Sequence, residues 1–236
     1  MTAAERALEF VAQGDRIGLG TGHAAAAFAV ALAARVREGL DVRAVPTSQA
    51  TADHALALGI PLTRLDDVET LDATIDGADE VDPQLDLIKG YGGALLREMV
   101  VASISRRLVI LVGREKLVPS LGTRGTLPVE VVPFALPVCR RRLADLDIGS
   151  SLRMAGDRPF VTDNGNYLLH CGVAPMTRPH DVRDAIRSIP GVVDVGLFLG
   201  LADIVLVEDG DRVDTLHRAP GTRCAPLTLA SRQVKP

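Results

Sequence analysis

Tryptophan is absent from this 236-residue chain, and phenylalanine with tyrosine brings the aromatic share to only 3%. Proteins that grip single-stranded nucleic acid stack its bases on aromatic rings, so this composition speaks against that class. A net charge of −4 and a pI near 5.7 point the same way, because they offer no positive excess to a phosphate backbone. No nucleic-acid partner is expected. Cysteine is scarce too. Cys139, Cys171 and Cys224 form an odd set without paired spacing, which reads as reduced thiols of a cytoplasmic protein rather than a disulfide framework. None of the five histidines stands at ligand spacing from another, so no structural metal is expected. No apolar run reaches the ~18 residues of a membrane span. Glu5 and Arg6 interrupt the segment where a signal peptide would carry its apolar stretch. No membrane partner is expected.

Lysine is the scarcest of the charged residues. Of 26 Lys+Arg, only Lys89, Lys116 and Lys235 are lysines. In a chain that otherwise uses arginine, lysine is kept at two places beside glycines and apolar runs. It is the compact, pKa-tunable cation, and arginine replaces it poorly in a tight site.

What the chain has in quantity is apolar residues, 47% of the total, and the 22 glycines that punctuate them. The stretch from Leu71 to Glu98 concentrates its chemistry. Leu71–Ile75 alternates like a strand. It runs into Asp76-Gly77-Ala78-Asp79-Glu80, three carboxylates around a glycine. A second apolar run, Leu85–Ile88, ends at Lys89, and Gly90, Gly92 and Gly93 lead into a helix with Glu98 near its start. Carboxylates at strand ends, a lysine and backbone free to approach a ligand belong at the mouth of an α/β sheet. The competing reading is an acidic turn followed by a glycine loop, and the placement of the lysine favours a site.

The rest of the chain supplies the frame. Thr2-Ala3-Ala4-Glu5 is a capping-box pattern opening a helix to about Gln13. Arg16–Leu19 reads as a strand, Gly20-Thr21-Gly22 as a turn, and His23–Glu38 as an alanine-rich helix stopped by Gly39. Strand, glycine turn and helix amino terminus form an anion site, or else a tight turn whose glycines serve packing. Gly20, Gly22 and Ala25 also fit a loose dinucleotide pattern, but the next strand, Val42–Val45, ends in Pro46-Thr47-Ser48 instead of the acid that holds a ribose hydroxyl. The nicotinamide and flavin readings fall there, and the phosphate reading stands. Ser48 caps a third helix to Leu58. A helix over residues 93–105 and a strongly apolar strand, Arg107–Val112, complete a doubly wound βα pattern.

After Lys116 the texture changes, and residues 122–128, rich in glycine, threonine and proline, mark a boundary. Strand Val129–Val132, a helix containing Arg140, Arg141 and Arg142, strand Phe160–Thr162, the turn Asp163-Asn164-Gly165-Asn166, strand Tyr167–Cys171, helix Arg178–Ile189 and strand Val192–Leu199 give the order β-α-β-β-α-β. That is the split βαβ, ferredoxin-like order. Strands Ala202–Val207 and Arg212–His217 are expected to return to the first sheet. The fold class is therefore α/β: a Rossmann-like doubly wound domain, residues 1–126 plus 201–236, with an inserted ferredoxin-like α+β domain, residues 127–200.

The run Asp76-Gly77-Ala78-Asp79-Glu80-Val81-Asp82, then Lys89-Gly90-Tyr91-Gly92-Gly93-Ala94-Leu95 and Glu98, resembles ribose-5-phosphate isomerase of type A. Gly18-Leu19-Gly20-Thr21-Gly22, Pro46-Thr47-Ser48, Leu127-Pro128-Val129-Glu130-Val131 and Thr162-Asp163-Asn164-Gly165-Asn166 extend the likeness over most of the chain in family order. The resemblance implies an aldose–ketose isomerisation of ribose 5-phosphate and ribulose 5-phosphate through an enediolate, in the non-oxidative pentose phosphate pathway, with neither metal nor organic cofactor. It also implies a homodimer or homotetramer. By resemblance Glu98 is the base, Lys89 and the glycine loop (Gly90, Tyr91, Gly92) stabilise the enediolate, and Asp76 and Asp79, with Gly77 and Ala78 between them, hold hydroxyls and move protons. Thr21, Gly22, His23, Ala24 and Lys116 take the phosphate and neighbouring oxygens.

One departure bears on the substrate. The family's phosphate loop usually continues with serine and threonine, where this chain has His23 and Ala24. His23 is then expected to replace a lost hydroxyl as phosphate donor. An isomerase or deaminase of another sugar phosphate, a non-catalytic sugar-phosphate sensor domain, and a Mg²⁺ site built from Asp76, Asp79, Glu80 and Asp82 stay open on the sequence.

Overall fold

The computed structural model describes residues 1–222; Cys224, Lys235 and the carboxy-terminal part of the 201–236 segment lie outside the described residues. Thr2 caps α1 (Ala3–Ala7) with the expected capping box to Glu5, but the helix tightens into a 3₁₀ turn over Leu8–Phe10 and stops short of Gln13. β1 (Arg16–Leu19) follows, then α2 (His23–Arg37), β2 (Arg43–Pro46) and α3 (Gln49–Ala57), which Ser48 caps by accepting from the Thr51 N–H. The end of α2 shows why Gly39 was needed. At φ 103° it lets Gly39 N–H reach Val36 O and Leu40 N–H reach Arg35 O, satisfying carbonyls that the helix leaves open.

Next come β3 (Ala73–Gly77), β4 (Glu80–Val81), β5 (Leu87–Ile88), α4 (Leu95–Ser103) and β6 (Leu108–Gly113). The chain continues through β7 (Thr126–Val131), α5 (Leu136–Asp145), β8 (Ser150–Leu152), β9 (Met154–Ala155), β10 (Arg158–Pro159), β11 (Tyr167–Gly172), α6 (Pro179–Arg187), β12 (Val192–Val195), β13 (Leu197–Phe198), β14 (Ile204–Asp209) and β15 (Arg212–His217).

The main sheet has the order β15-β14-β6-β3-β1-β2, parallel throughout except for β15. From β1 the chain turns outward to β2 and then crosses back to β3. The order therefore reverses between β1 and β3, and ligands of such sheets bind at that reversal, beyond the carboxyl ends of the strands. Apolar layers cover both faces. Phe28, Leu32 and Ala29 of α2 pack on Ile17, Leu19 and Ile75, while Leu95 and Ala102 of α4 meet Ile110 and Val205 on the other side. Burying each large side chain contributes roughly 1.5–3 kcal/mol, so α2 and α4 are fixed firmly on the sheet that carries the loops between them.

The second sheet has the order β12-β7-β11-β8, antiparallel throughout, which is the ferredoxin-like arrangement. Two expectations need correction here. Phe160–Thr162 is not a strand of this sheet. Its neighbours Arg158–Pro159 pair only with Met154–Ala155, and Val161 makes a single bridge to Tyr167. The place beside β11 is taken instead by Ser150–Leu152, a segment too short and polar to show an apolar period. The turn itself is as expected, with Gly165 at φ 78° and Thr162 and Asn166 paired through their backbones. The expected strand Val192–Leu199 also breaks in two at Gly196. A side chain there would run into the Lys89 carbonyl and Pro128. Beyond the break, β13 leaves the second sheet and pairs with β5 in a three-stranded sheet β13-β5-β4. That small sheet lies between the two larger ones, and Lys89 is the first residue after its middle strand.

Candidate active site

Three buried side chains meet at the carboxyl end of β3. Asp76 is 1% exposed, Lys89 3% and Glu98 4%. Lys89 Nζ lies 3.0 Å from Asp76 Oδ2 and 3.2 Å from Glu98 Oε2, and donates to the Gly77 carbonyl at 2.6 Å. Each arrives from a different element: Asp76 from a central strand, Lys89 from the end of β5, Glu98 from the first turn of α4. The Phe198 ring of β13 faces the ammonium at 5.5 Å from its centroid, a favourable cation–π contact. The approach to Glu98 is not aligned as a hydrogen bond, and Glu98 Oε2 has no hydrogen-bond partner among the described residues. Asp76 and Glu98 thus flank one ammonium, whose hydrogen bond goes to the Gly77 carbonyl.

One cation between two buried carboxylates leaves a negative charge in excess. Burial, reinforced by the Asp76 charge, pushes Glu98 up to about 8, well above the ordinary 4.5. Burial also raises Asp76, against the opposing pull of Lys89. Burial alone would discharge Lys89, but Asp76 and Glu98 outweigh it and hold the ammonium charged. A carboxylate that takes up and releases its proton near neutrality is suited to general base and acid work.

Lys89 and Glu98 open on a cleft of about 890 Å³ at the strand reversal. Thr21, Gly22, His23, Ala24, Gly77, Ala78, Asp79, Gly90, Gly92 and Lys116 line it together with Lys89 and Glu98. Thus most of the residues singled out from the sequence converge. Gly22, at φ 109°, bends the chain into α2, and His23, its first residue, is exposed to the cleft. Lys116 reaches the cleft from a 3₁₀ turn after β6, with no ion pair or hydrogen bond among the described residues. Asp79 is half-buried and accepts the Tyr91 N–H at 3.1 Å, which leaves its other oxygen towards the cleft.

Two of the expected residues stand elsewhere. Asp76 does not line the cleft; it lies behind Lys89, with Gly77 N–H on its other oxygen. Tyr91 turns its side chain away. Its hydroxyl donates to Thr126 O at 3.0 Å and its ring packs 5.9 Å from His170, in the core of the second sheet. The possible Mg²⁺ ligands also diverge. Glu80 accepts the Gly122 and Arg124 N–H groups, Asp82 accepts those of Gln84 and Asp86, and the position between Asp76 and Glu98 is filled by the Lys89 ammonium.

Some functional placements escaped the sequence reading. Gly20 is glycine because a side chain there would occupy the place of the Asp76 carboxylate. The Thr21 hydroxyl sits in a cluster with Thr47 (2.8 Å), Ser48 (2.9 Å) and Thr51 (3.1 Å), and Thr51 in turn donates to Gly20 O. That cluster ties the glycine turn to the start of α3. Thr51, lying inside a helix, gave no local sign of it.

A buried carboxylate raised towards neutrality beside a charged ammonium, facing a glycine turn and helix amino terminus suited to an anion, fits an α/β enzyme that moves a proton on a small anionic substrate. Comparison with known proteins narrows this. Residues 43–212 match the model of the family described as ribose 5-phosphate isomerase A (phosphoriboisomerase A). The chain is 49% identical over 224 residues to a ribose-5-phosphate isomerase A of Roseiflexus sp. (strain RS-1), covering 94% of this chain and 96% of that one. It is also 49% identical to the protein of that name from Gloeobacter violaceus, covering 91% and 94%. Among solved structures, a D-ribose-5-phosphate isomerase in complex with phospho-erythronic acid superposes with a TM-score of 0.89 at 37% identity, covering 92% and 96%. The ribose 5-phosphate isomerase A of Methanocaldococcus jannaschii gives 0.87 at 37% identity, with the same coverage. The chain belongs to the ribose 5-phosphate isomerase A family.

Proposed function

We propose that the protein interconverts ribose 5-phosphate and ribulose 5-phosphate, a step of the non-oxidative pentose phosphate pathway, with Glu98 as the base. The observation that carries this reading is the unpartnered Glu98 oxygen beside a charged lysine at the cleft floor. In the open-chain aldose, Glu98 takes the proton from C2. The electron pair forms the C1–C2 double bond, and the carbonyl π electrons move onto O1. The Lys89 ammonium and the glycine-loop N–H groups stabilise the resulting enediolate. Asp79, which lines the cleft, moves the proton between O2 and O1, and Glu98 returns its proton to C1, giving the ketose. Asp76 holds Lys89 in place from behind. The phosphate lies against the Thr21–Ala24 backbone at the amino terminus of α2, with His23 and Lys116 beside it.

Assaying the purified protein against a panel of aldose phosphates tests this reading. Ribose 5-phosphate should give the highest kcat/KM, and a clear preference for another sugar phosphate would overturn the substrate assignment.

In this reading residues 1–126 with 201–236 form the catalytic domain and residues 127–200 the inserted one, supported by the division of strands between the two larger sheets. A cytoplasmic location is supported by the free, buried Cys139 and Cys171, and no helix among the described residues is long and apolar enough to cross a membrane. Recovery in a membrane fraction would contradict it. A homodimer or homotetramer is supported by Phe134, 95% exposed, beside exposed Val132 and Val138. Sedimentation of the native protein as a monomer would contradict that.

A further inference from the structure

Two stretches of the sequence that the reaction does not use, Leu127–Val131 and Thr162–Asn166, meet at one carboxylate. Glu130 of β7 is fully buried. Its Oε1 accepts from the Thr162 hydroxyl and the Asn166 side-chain amide, both at 2.9 Å, and its Oε2 receives the Leu96 N–H at 3.4 Å. Among the described residues no lysine or arginine pairs with it. A buried carboxylate without a cation is costly unless donors and dipoles compensate it. The compensation comes from Thr162 and Asn166 and, at longer range, from the amino end of α4, whose own cap residue, Ala94, makes no side-chain cap.

The segment before that turn and the turn itself also meet the glycine loop and the first turn of α4. Arg97 donates to Asn164 Oδ1 and to Asp163 O, both at 3.0 Å. Arg153 donates to Tyr91 O at 2.7 Å while its guanidinium stacks 3.9 Å over Phe160. A side chain at Gly93 would strike that Phe160 ring. The glycine loop and the first turn of α4 are therefore seated on the second sheet, and Glu98 belongs to that turn.

We propose that Glu130, held by Thr162 and Asn166, is a positioning residue for the isomerisation: from the second sheet it supplies the anionic cap that α4 lacks, and so fixes where the Glu98 carboxylate sits. The inference rests on Glu98 being the base. The charged groups that face Glu98 are Asp76 from β3, Asp79 from the loop after it, and Lys89 from the end of β5. Glu130 acts on none of these and works through the helix. A base displaced by about 1 Å loses on the order of a hundredfold in rate, while substrate held by the phosphate loop and Lys116 stays bound.

The test uses Thr162→Val, which keeps shape and charge but removes a donor from Glu130 and the acceptor of the Asn164 and Asn166 N–H groups, with Thr162→Ser as the rescue and Glu130→Gln, which leaves that turn acceptor in place, as a second variant. Two readouts are taken on folded protein. One is kcat and KM for ribose 5-phosphate. The other is the pH titration of the Glu98 carboxyl carbon by ¹³C NMR, its signal assigned by its loss in Glu98→Gln. Thr162→Val should lower kcat about tenfold or more with KM nearly unchanged. It should also move the Glu98 titration below its native midpoint near 8, because a loosened turn exposes the carboxylate. Thr162→Ser should restore both. The proposal is overturned if neither Thr162→Val nor Glu130→Gln moves the Glu98 titration, whatever they do to activity. Turnover retained in Glu98→Gln would instead overturn the assignment of the base, and the titration would still report whether Glu130 sets its position.

Discussion

Lys89 Nζ stands 3.2 Å from Glu98 Oε2 without the alignment of a hydrogen bond, so the carboxylate is held by charge while one of its oxygens stays free to take a proton. The ammonium already serves Asp76 and the Gly77 carbonyl. Two buried acids share one cation, and burial with the Asp76 charge pushes Glu98 up to about 8.

The rate should follow that proton. A base works only when deprotonated, so kcat/KM should rise about tenfold per unit of pH up to about 8 and level off above it. Lys89 is raised and stays charged across this range, and substrate phosphate, with its second ionisation near ~6, is already a dianion above pH 7. A profile that is flat between pH 6.5 and 9 would contradict the account.

Stability should move in the opposite direction. Glu98 is raised from 4.5 to about 8 on folding, so over that window the folded state binds the proton more tightly than the unfolded chain. Its stabilising contribution is complete below about 4.5 and is lost as pH rises through about 8. Glu98→Gln abolishes this titration. Its melting temperature relative to the native protein should therefore be higher at pH 9 than at pH 5, by at least a few degrees. Thermal scans that show the same difference at both pH values would sink the argument.

Much of this arrangement was legible along the chain, because local rules placed its parts. The apolar run before Asp76, the glycines after Lys89 and the capping pattern at Thr2 each depend on a few neighbouring residues, and the elements fall within a few residues of where those signals put them. What escaped was set by distant contacts. Gly20 is required by a carboxylate 56 positions away in sequence. The resemblance groups Tyr91 with the substrate-binding loop, yet its ring is drawn into the core of the second sheet beside His170. Phe160 looked like a strand residue because it is apolar and precedes a hairpin turn. It serves instead to pack Arg153 and Gly93 over the glycine loop. No period in the sequence reports such meetings.

In the proposed site His23 stands where the resemblance puts a hydroxyl beside the phosphate, and it is exposed to the cleft at the first residue of α2. His23→Ala should raise KM for ribose 5-phosphate several-fold with kcat within about twofold, the pattern of lost uniform binding. Steady-state kinetics over substrate concentrations from well below to well above KM separates the two parameters. A fall in kcat at unchanged KM would place His23 in the chemistry rather than in phosphate binding.

The most direct measurement is the turnover of Glu98→Gln, which keeps the shape of the side chain and removes its basicity. The account predicts that kcat for ribose 5-phosphate falls by at least ~10²-fold, with the substrate bound nearly as well as by the native protein. Near-normal turnover would contradict it and move the base to another cleft carboxylate, Asp79.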